Sequence, residues 1–196
     1  MICTTCRHND PPGFVKNGAA LEPCPDCGGT MVAYCRDGLT ACNGAIDMRA
    51  ENPDSPAAQW CLEQYFAELA GRFDNGFDPV RSISASTEEM TPPAGLFVVA
   101  WLDGAPVGCG ALKVGLECTG EVKRMWTSPR ARGLGVARRI LRQLEAWAGD
   151  AGLTRLRLET NRALIEAPAL YRAEGYAEVA AFNAEPYAHH WFEKRL

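Results

Sequence analysis

The stretch Arg130-Ala-Arg-Gly-Leu-Gly-Val-Ala137 constrains this chain more than any other. A short apolar segment, residues 122–127, precedes it, and Pro129 separates the two. Apolar residues at 134, 137, 141, 144 and 148 follow, with the 3-4-3-4 spacing of an amphipathic helix. A strand, a glycine turn and a helix in that order leave backbone N–H groups unpaired at the helix start. Together with the positive end of the helix dipole, those groups form an anion site. Gly133 and Gly135 let the backbone approach a diphosphate that a Cβ would hold off. Seven basic residues and no Asp or Glu lie between 122 and 144, so the loop suits a polyanionic ligand.

The two glycines alone do not choose that ligand. A dinucleotide fingerprint needs a third glycine where Arg138 stands, and a Walker loop needs Gly-Lys followed by Ser or Thr. The pattern present, Arg-x-x-Gly-x-Gly at 130–135, resembles the acetyl-coenzyme A loop of the GNAT N-acetyltransferase family. Three further stretches carry the resemblance in the expected order. Glu121-Val-Lys-Arg-Met-Trp-Thr is similar to the family's fourth strand, and Leu156-Arg-Leu-Glu-Thr-Asn161 to its fifth. Leu170-Tyr-Arg-Ala-Glu-Gly-Tyr176 resembles its Leu-Tyr-x-x-x-Gly-Phe/Tyr signature. The tail over 182–194 is similar to GNAT domains fused to MarR-type regulators. The match runs over residues 45–196.

The resemblance implies an α+β fold, an α/β/α sandwich around a mixed, mostly antiparallel sheet, with acetyl-coenzyme A as cosubstrate and an amine as acceptor. Patterning gives the same kind of architecture. A strand is expected over 45–50, then a helix opened by Asp54-Ser55-Pro56 and continued by Leu62, Tyr65, Phe66, Leu69 and Phe73. Residues 74–95 read as a long loop with one helical turn near 86–90. Strands 96–102 and 106–113 flank the hairpin signal Asp103-Gly104-Ala105. Strand 121–127, helix 134–148, strand 154–160, helix 163–174 and strands 176–182 and 189–195 complete the set.

Transfer of an acetyl group from a thioester to an amine has three physical needs. The amine must lose a proton, since an alkyl ammonium of pKa about 10 has no lone pair. The oxyanion needs a hydrogen-bond donor, and the departing thiolate benefits from a proton. By resemblance, Glu121 is the general base, directly or through a water. The plainer alternative is a strand-end carboxylate that attracts a cationic substrate. Tyr171 matches the thiol-protonating Tyr, a phenol that donates a hydrogen bond while neutral at pH 7. Otherwise it is a packing residue of an amphipathic helix.

The cofactor is expected along Met125, Trp126 and Thr127. The backbone of Met125 and Thr127 would pair with the pantetheine amides as an added strand does, whereas the Trp126 ring, like Trp191 and Phe192, is most simply core, although one of the three could line the acceptor pocket. Arg130, Arg132, Gly133, Leu134, Gly135, Val136 and Ala137 would surround the diphosphate, and Asn161 and Tyr171 would meet the cofactor's reacting arm. Arg138 and Arg139 are either contacts to the ribose 3′-phosphate or a solvated helix face. Of His189 and His190, adjacent on a strand, at most one can face a cleft and act as a base.

Six of nine cysteines fall in the first 43 residues. Cys3-x-x-Cys6 and Cys24-x-x-Cys27 stand 17 residues apart, the spacing of a zinc ribbon, so residues 1–43 are expected to form a small structural Zn2+ module and 44–196 the transferase domain. The segment has few large apolar residues, and metal binding on the order of 10 kcal/mol would supply its folding free energy. Cys35, Cys42 or His8 could replace one ligand; an iron–sulfur or redox role fits the spacings less well. Cys61, Cys109 and Cys118 read as buried small apolar residues.

A net charge of −4, with three Lys/Arg against four Asp/Glu in the first 43 residues, argues against a nucleic-acid partner. No stretch is long enough to span a bilayer and none resembles a signal peptide, which makes the cytoplasm the default location. The leading expectation is an acetyl-CoA-dependent N-acetyltransferase for a small-molecule or protein amine. The alternative is an acyl-CoA sensor with little turnover whose Cys-rich module docks a protein partner.

Overall fold

Residues 95–102 are apolar at both odd and even positions, so the strand they form needs cover on both faces. In the computed structural model Leu96, Val98, Ala100 and Leu102 belong to one buried cluster, and Phe97 and Val99 to a second on the opposite face. The structure describes residues 46–196 in full and, before them, only the backbone of three short strands: β1 (Ile2–Cys3), β2 (Met31–Cys35) and β3 (Gly38–Ala41). These pair antiparallel in the order β1-β2-β3. Cys6, Cys24, Cys27, Cys42 and His8, the side chains of Cys3 and Cys35, and the expected boundary near residue 43 lie outside the described residues.

A seven-stranded sheet follows, built from β4 (Asp47–Ala50), β5 (Gly95–Leu102), β6 (Ala105–Val114), β7 (Thr119–Thr127), β8 (Arg155–Thr160), β9 (Ala177–Val179) and β10 (His190–Arg195). Its order is β4-β5-β6-β7-β8-β10-β9, and every neighbouring pair is antiparallel except β7 and β8. Helix α1 (Pro56–Arg72) covers one face through Ala58, Cys61 and Leu62. Helix α2 (Val136–Asp150) covers the other through Ile140, Leu141 and Leu144, and α3 (Glu166–Ala173) joins that side through Tyr171. This is the expected mixed α+β sandwich.

Local chemistry explains most of the boundaries. Ser55 caps α1, its Oγ accepting from the Ala58 N–H at 3.2 Å, with Pro56 in the first turn. Asp103 and Gly104 make the two-residue hairpin turn, both at positive φ (52° and 74°). Helix α2 seats close on β6 because Gly110 has no side chain: a Cβ there would lie 2.5 Å from Ile140 Cγ2.

Some boundaries differ from expectation. Helix α3 starts at Glu166 rather than 163, since Asn161 first makes a side-chain turn, its Oδ1 accepting from the Ala163 N–H at 2.8 Å. Strand β9 stops at Val179, well short of 182. Cys118 is exposed, unlike Cys61 and Cys109, because it sits in the turn before β7 at φ 52°.

Candidate active site

Strands β7 and β8 run parallel but pair over only three positions, Thr119 with Arg155, Gly120 with Leu156 and Glu121 with Arg157. Beyond Glu121 they diverge, although β7 continues to Thr127 and β8 to Thr160. A bulge on β7 accompanies the divergence: its register with β6 shifts between Cys109 and Ala111, and Arg124 adopts φ 58°, a left-handed conformation rare for a non-glycine residue. Diverging strands leave a gap that side chains do not fill, and two cavities open there.

The larger cavity, about 430 Å³, lies against the expected cofactor loop. Its walls include Met125, Trp126, Thr127, Arg132, Gly133, Gly135, Val136, Ala137 and Tyr171, nine of the positions expected to meet the cofactor. Gly135 is the N-cap of α2 at φ 74°, no side chain caps the helix, and its first turn holds no acidic residue. The helix therefore presents its N–H groups and dipole to the cavity without an internal counter-charge in that turn. Three expected cofactor residues lie elsewhere. Arg130 is exposed outside the cavity wall, and Leu134 is fully buried in the core. Asn161 lines the smaller cavity, its amide already holding the Tyr187 carbonyl at 2.7 Å as well as the Ala163 N–H.

The smaller cavity, about 110 Å³, is a mixed aromatic and charged chamber. Phe73, Phe77, Tyr65 and Tyr187 supply ring surface; Lys123, Arg124, Glu159 and Glu185 supply charge. The two cavities share Tyr65, Leu69, Met125, Leu164, Ala167 and Tyr171, so they meet at the Met125–Tyr171 wall.

Glu121 does not reach either cavity. It occupies the last paired position, where β8 still closes the strand edge, and its carboxylate lies 3.3 Å from Lys123 Nζ. Lys123 in turn contacts Glu159 at 2.7 Å, and both of these face the chamber. Burial opposes the Lys123 charge, but the Glu159 and Glu121 carboxylates outweigh it and hold the ammonium pKa above its ordinary value. Tyr171 is 5% exposed, and burial raises its phenol pKa well above 10, so it stays neutral and protonated. Burial likewise pushes Tyr65 up to about 12, against the lowering influence of Arg124.

His189 and His190 are not in either wall; His190 Nδ1 instead lies 2.7 Å from Glu178 at the sheet surface. Trp126 and Phe192 are core, while Trp191 is half-buried with its N–H donating to Asn183 at 2.8 Å. Two important residues carried no sequence signal. Glu68 on α1 accepts from Arg132 and, at 3.0 Å, from the Trp126 indole; Arg72, one turn later, donates to the Ala163 carbonyl at 2.6 Å. Both look like ordinary polar residues of an amphipathic helix, and only tertiary structure brings them to the cavity rim. Among the described residues no group of His, Cys, Asp and Glu has the geometry of a metal site.

Comparison with known proteins follows the same outline. The family model described as "Acetyltransferase (GNAT) family" matches residues 57–176. An IAA acetyltransferase of Azospirillum brasilense is 42% identical over 97 residues, which cover 49% of this chain and 63% of that protein; the match thus falls short of two thirds of the relative's length. An acetyltransferase structure from Staphylococcus aureus superposes with a TM-score of 0.65 at 15% identity, over 77% of this chain and 99% of the other. PaiA N-acetyltransferase from Thermoplasma acidophilum, solved in complex with coenzyme A, gives 0.60 at 16% identity, over 78% and 99%.

Proposed function

Because the chain belongs to the acetyltransferase (GNAT) family and so to the acyl-CoA-dependent acyltransferases, we propose that it moves an acetyl group from acetyl-coenzyme A to a primary amine. The meeting of two cavities at the Met125–Tyr171 wall carries this reading, since a transferase needs separate rooms for donor and acceptor with one shared wall. A sensor of acyl-CoA would have no use for the second room.

In this reading the diphosphate lies at the start of α2, held by Gly133, Gly135, Val136, Ala137 and Arg132, with Arg130 close by in solvent. The pantetheine arm runs along Met125, Trp126 and Thr127, where β7 has lost β8 as a partner. The amine enters from the chamber and its lone pair attacks the thioester carbonyl. As the carbon–sulfur bond breaks, the thiolate takes the Tyr171 hydroxyl proton and the proton shed by the amine replaces it, so the phenol ends neutral as it began. Glu159, in the chamber wall, is the carboxylate that meets the amine's proton. Glu121 acts one ion pair behind it, through Lys123 or an intervening water. Asn161 shapes the chamber by fixing the 161–163 turn against Tyr187.

Zinc held by Cys3, Cys6, Cys24 and Cys27 is a proposal that the sequence spacing alone supports, and residues 1–43 are proposed as its module, available to a protein partner. Metal analysis of the purified chain tests it: one zinc per chain is expected, lost in Cys24→Ser.

Transfer is tested by incubating the chain and its Tyr171→Phe variant with isotopically labelled acetyl-coenzyme A and a cell extract, then reading labelled amines by mass spectrometry. A labelled amine formed at least tenfold faster by the unmodified chain supports the mechanism. Tight coenzyme A binding without any labelled product refutes transfer.

A further inference from the structure

We propose, resting on the transfer reading above, that the acceptor amine also carries a carboxylate and that Arg124 binds it: the natural acceptor is an amino acid or a close derivative. The charges of the acceptor chamber point there. Four ionisable groups of full charge line it, Lys123, Arg124, Glu159 and Glu185. Three of them are answered within the protein. Lys123 lies 2.7 Å from Glu159 and 3.3 Å from Glu121. Glu185 is 8% exposed and saturated: one oxygen accepts from Ser82 Oγ at 3.0 Å and from the Ile83 N–H at 2.6 Å, the other from the Tyr187 N–H at 3.1 Å.

Arg124 differs. Among the described residues no carboxylate lies within 4.0 Å of it, and its guanidinium donates at 2.6 Å to the neutral Ser84 hydroxyl. A guanidinium offers five N–H donors in a planar fork that matches the two oxygens of a carboxylate. Here the fork is held rather than free. It sits 4.8 Å from the Phe66 ring centroid and 5.8 Å from that of Tyr65, so less rotamer freedom is lost when a ligand binds. The bulge contributes too. With φ at 58°, Arg124 interrupts the alternation of β7 in the stretch where β8 has moved away, and the residue lines both the chamber and a neighbouring cavity walled by Phe66.

A cation placed beside an amine's binding site is a liability unless the substrate brings an anion, because an acceptor arriving as an ammonium would be repelled. An acceptor carrying both groups turns that repulsion into selection. Its carboxylate meets Arg124, its amine lies toward Glu159 and the Met125–Tyr171 wall, and a simple amine is discriminated against.

The test uses the full chain, acetyl-coenzyme A and three matched sets of probes: amino acids, their carboxamides, and the decarboxylated amines. Thiol release gives kcat/KM for each, for the unmodified chain, Arg124→Gln and Arg124→Lys. The preferred amino acid should exceed its amide at least tenfold; that ratio should fall to near one in R124Q and recover in part in R124K. Coenzyme A binding by all three chains reports that they are folded. Amides or plain amines acetylated as fast as the acids by the unmodified chain would overturn this inference while leaving transfer standing. A ratio that survives in R124Q would overturn the role of Arg124. If no probe of any set is acetylated, transfer itself fails, and a thermal-shift titration of the coenzyme A-loaded chain decides the carboxylate site. Stabilisation by acids and not by amides, lost in R124Q, supports the site; equal response overturns it.

Discussion

Arg132 donates through one nitrogen to both carboxylate oxygens of Glu68, at 2.6 and 2.5 Å, and so ties the glycine loop to α1 across 64 residues of sequence. Glu68 also accepts from Trp126 and lies 3.0 Å from Arg72, so one carboxylate gathers the loop, β7 and α1 at the cavity rim. The pair both steadies Arg132 and competes with any diphosphate for its charge.

Glu68→Gln retains an acceptor for Trp126 but removes the competing charge. Coenzyme A affinity is expected to rise about threefold or more, while stability falls by about 1 kcal/mol, since the pair is partly exposed and discounted accordingly. Calorimetric titration and thermal unfolding check the two halves. Weaker binding would show that Glu68 aims Arg132 at the phosphates instead of competing with them.

Gly135→Ala addresses the loop backbone. At φ 74° a Cβ costs on the order of 1 kcal/mol, and Gly135 lines the larger cavity, where the diphosphate is assigned. The Michaelis constant for acetyl-coenzyme A should rise at least tenfold with kcat little changed, the pattern of lost ground-state binding. A variant that loses kcat alone would put the phosphates elsewhere.

The two carboxylates near Lys123 are separable by substitution. Glu159→Gln, in the chamber wall, should lower kcat/KM by about a hundredfold. Glu121→Gln, one ion pair back, should cost less than tenfold. Reversed magnitudes would make Glu121 the base in direct contact.

Alkaline stability follows from the buried phenols. Tyr65, Tyr171 and Tyr176 all have pKa values raised above 10, chiefly by burial, with Tyr65 reaching about 12. A raised folded-state pKa means that the native state keeps protons the unfolded chain releases. Stability is therefore fully present below pH 10 and declines as pH climbs from 10 through 12, by about 1.4 kcal/mol per pH unit for each phenol. Urea unfolding across that range should show the slope, shallower in Tyr65→Phe. A flat profile to pH 12 would mean that the phenols ionise in the folded chain.

Local chemistry was readable from the sequence wherever one residue type is demanded by one backbone geometry. Ser55 at a helix start and Asp103-Gly104 in a hairpin are of that kind, and each sits where its pattern places it, while Gly135, expected inside a helix from 134, is instead the N-cap of one that begins at Val136. The unbroken apolar run of 95–102 likewise signals a strand covered on both faces. The divergence of β7 from β8 is different, because it results from a bulge at Arg124, and no composition marks a non-glycine residue for φ 58°. That geometry puts Glu121 behind the chamber and Lys123 and Glu159 inside it. Glu68 was hidden for another reason: its partners on the glycine loop are distant in sequence, and a Glu on the polar side of a helix needs no partner to be explained.

Glu185 fastens two stretches that are far apart in the chain. It accepts from Ser82 and Ile83 on one side and from Tyr187 on the other, while the Tyr187 hydroxyl accepts from the Asp78 N–H at 3.0 Å. Residues 73–83 and 185–188 thus form one clasp over the smaller cavity, whereas the loop and helix start over 125–138 line the larger one. In evolutionary terms the clasp is a cassette. Its two pieces must be inherited or exchanged together, since either alone would strand the buried carboxylate without its partners.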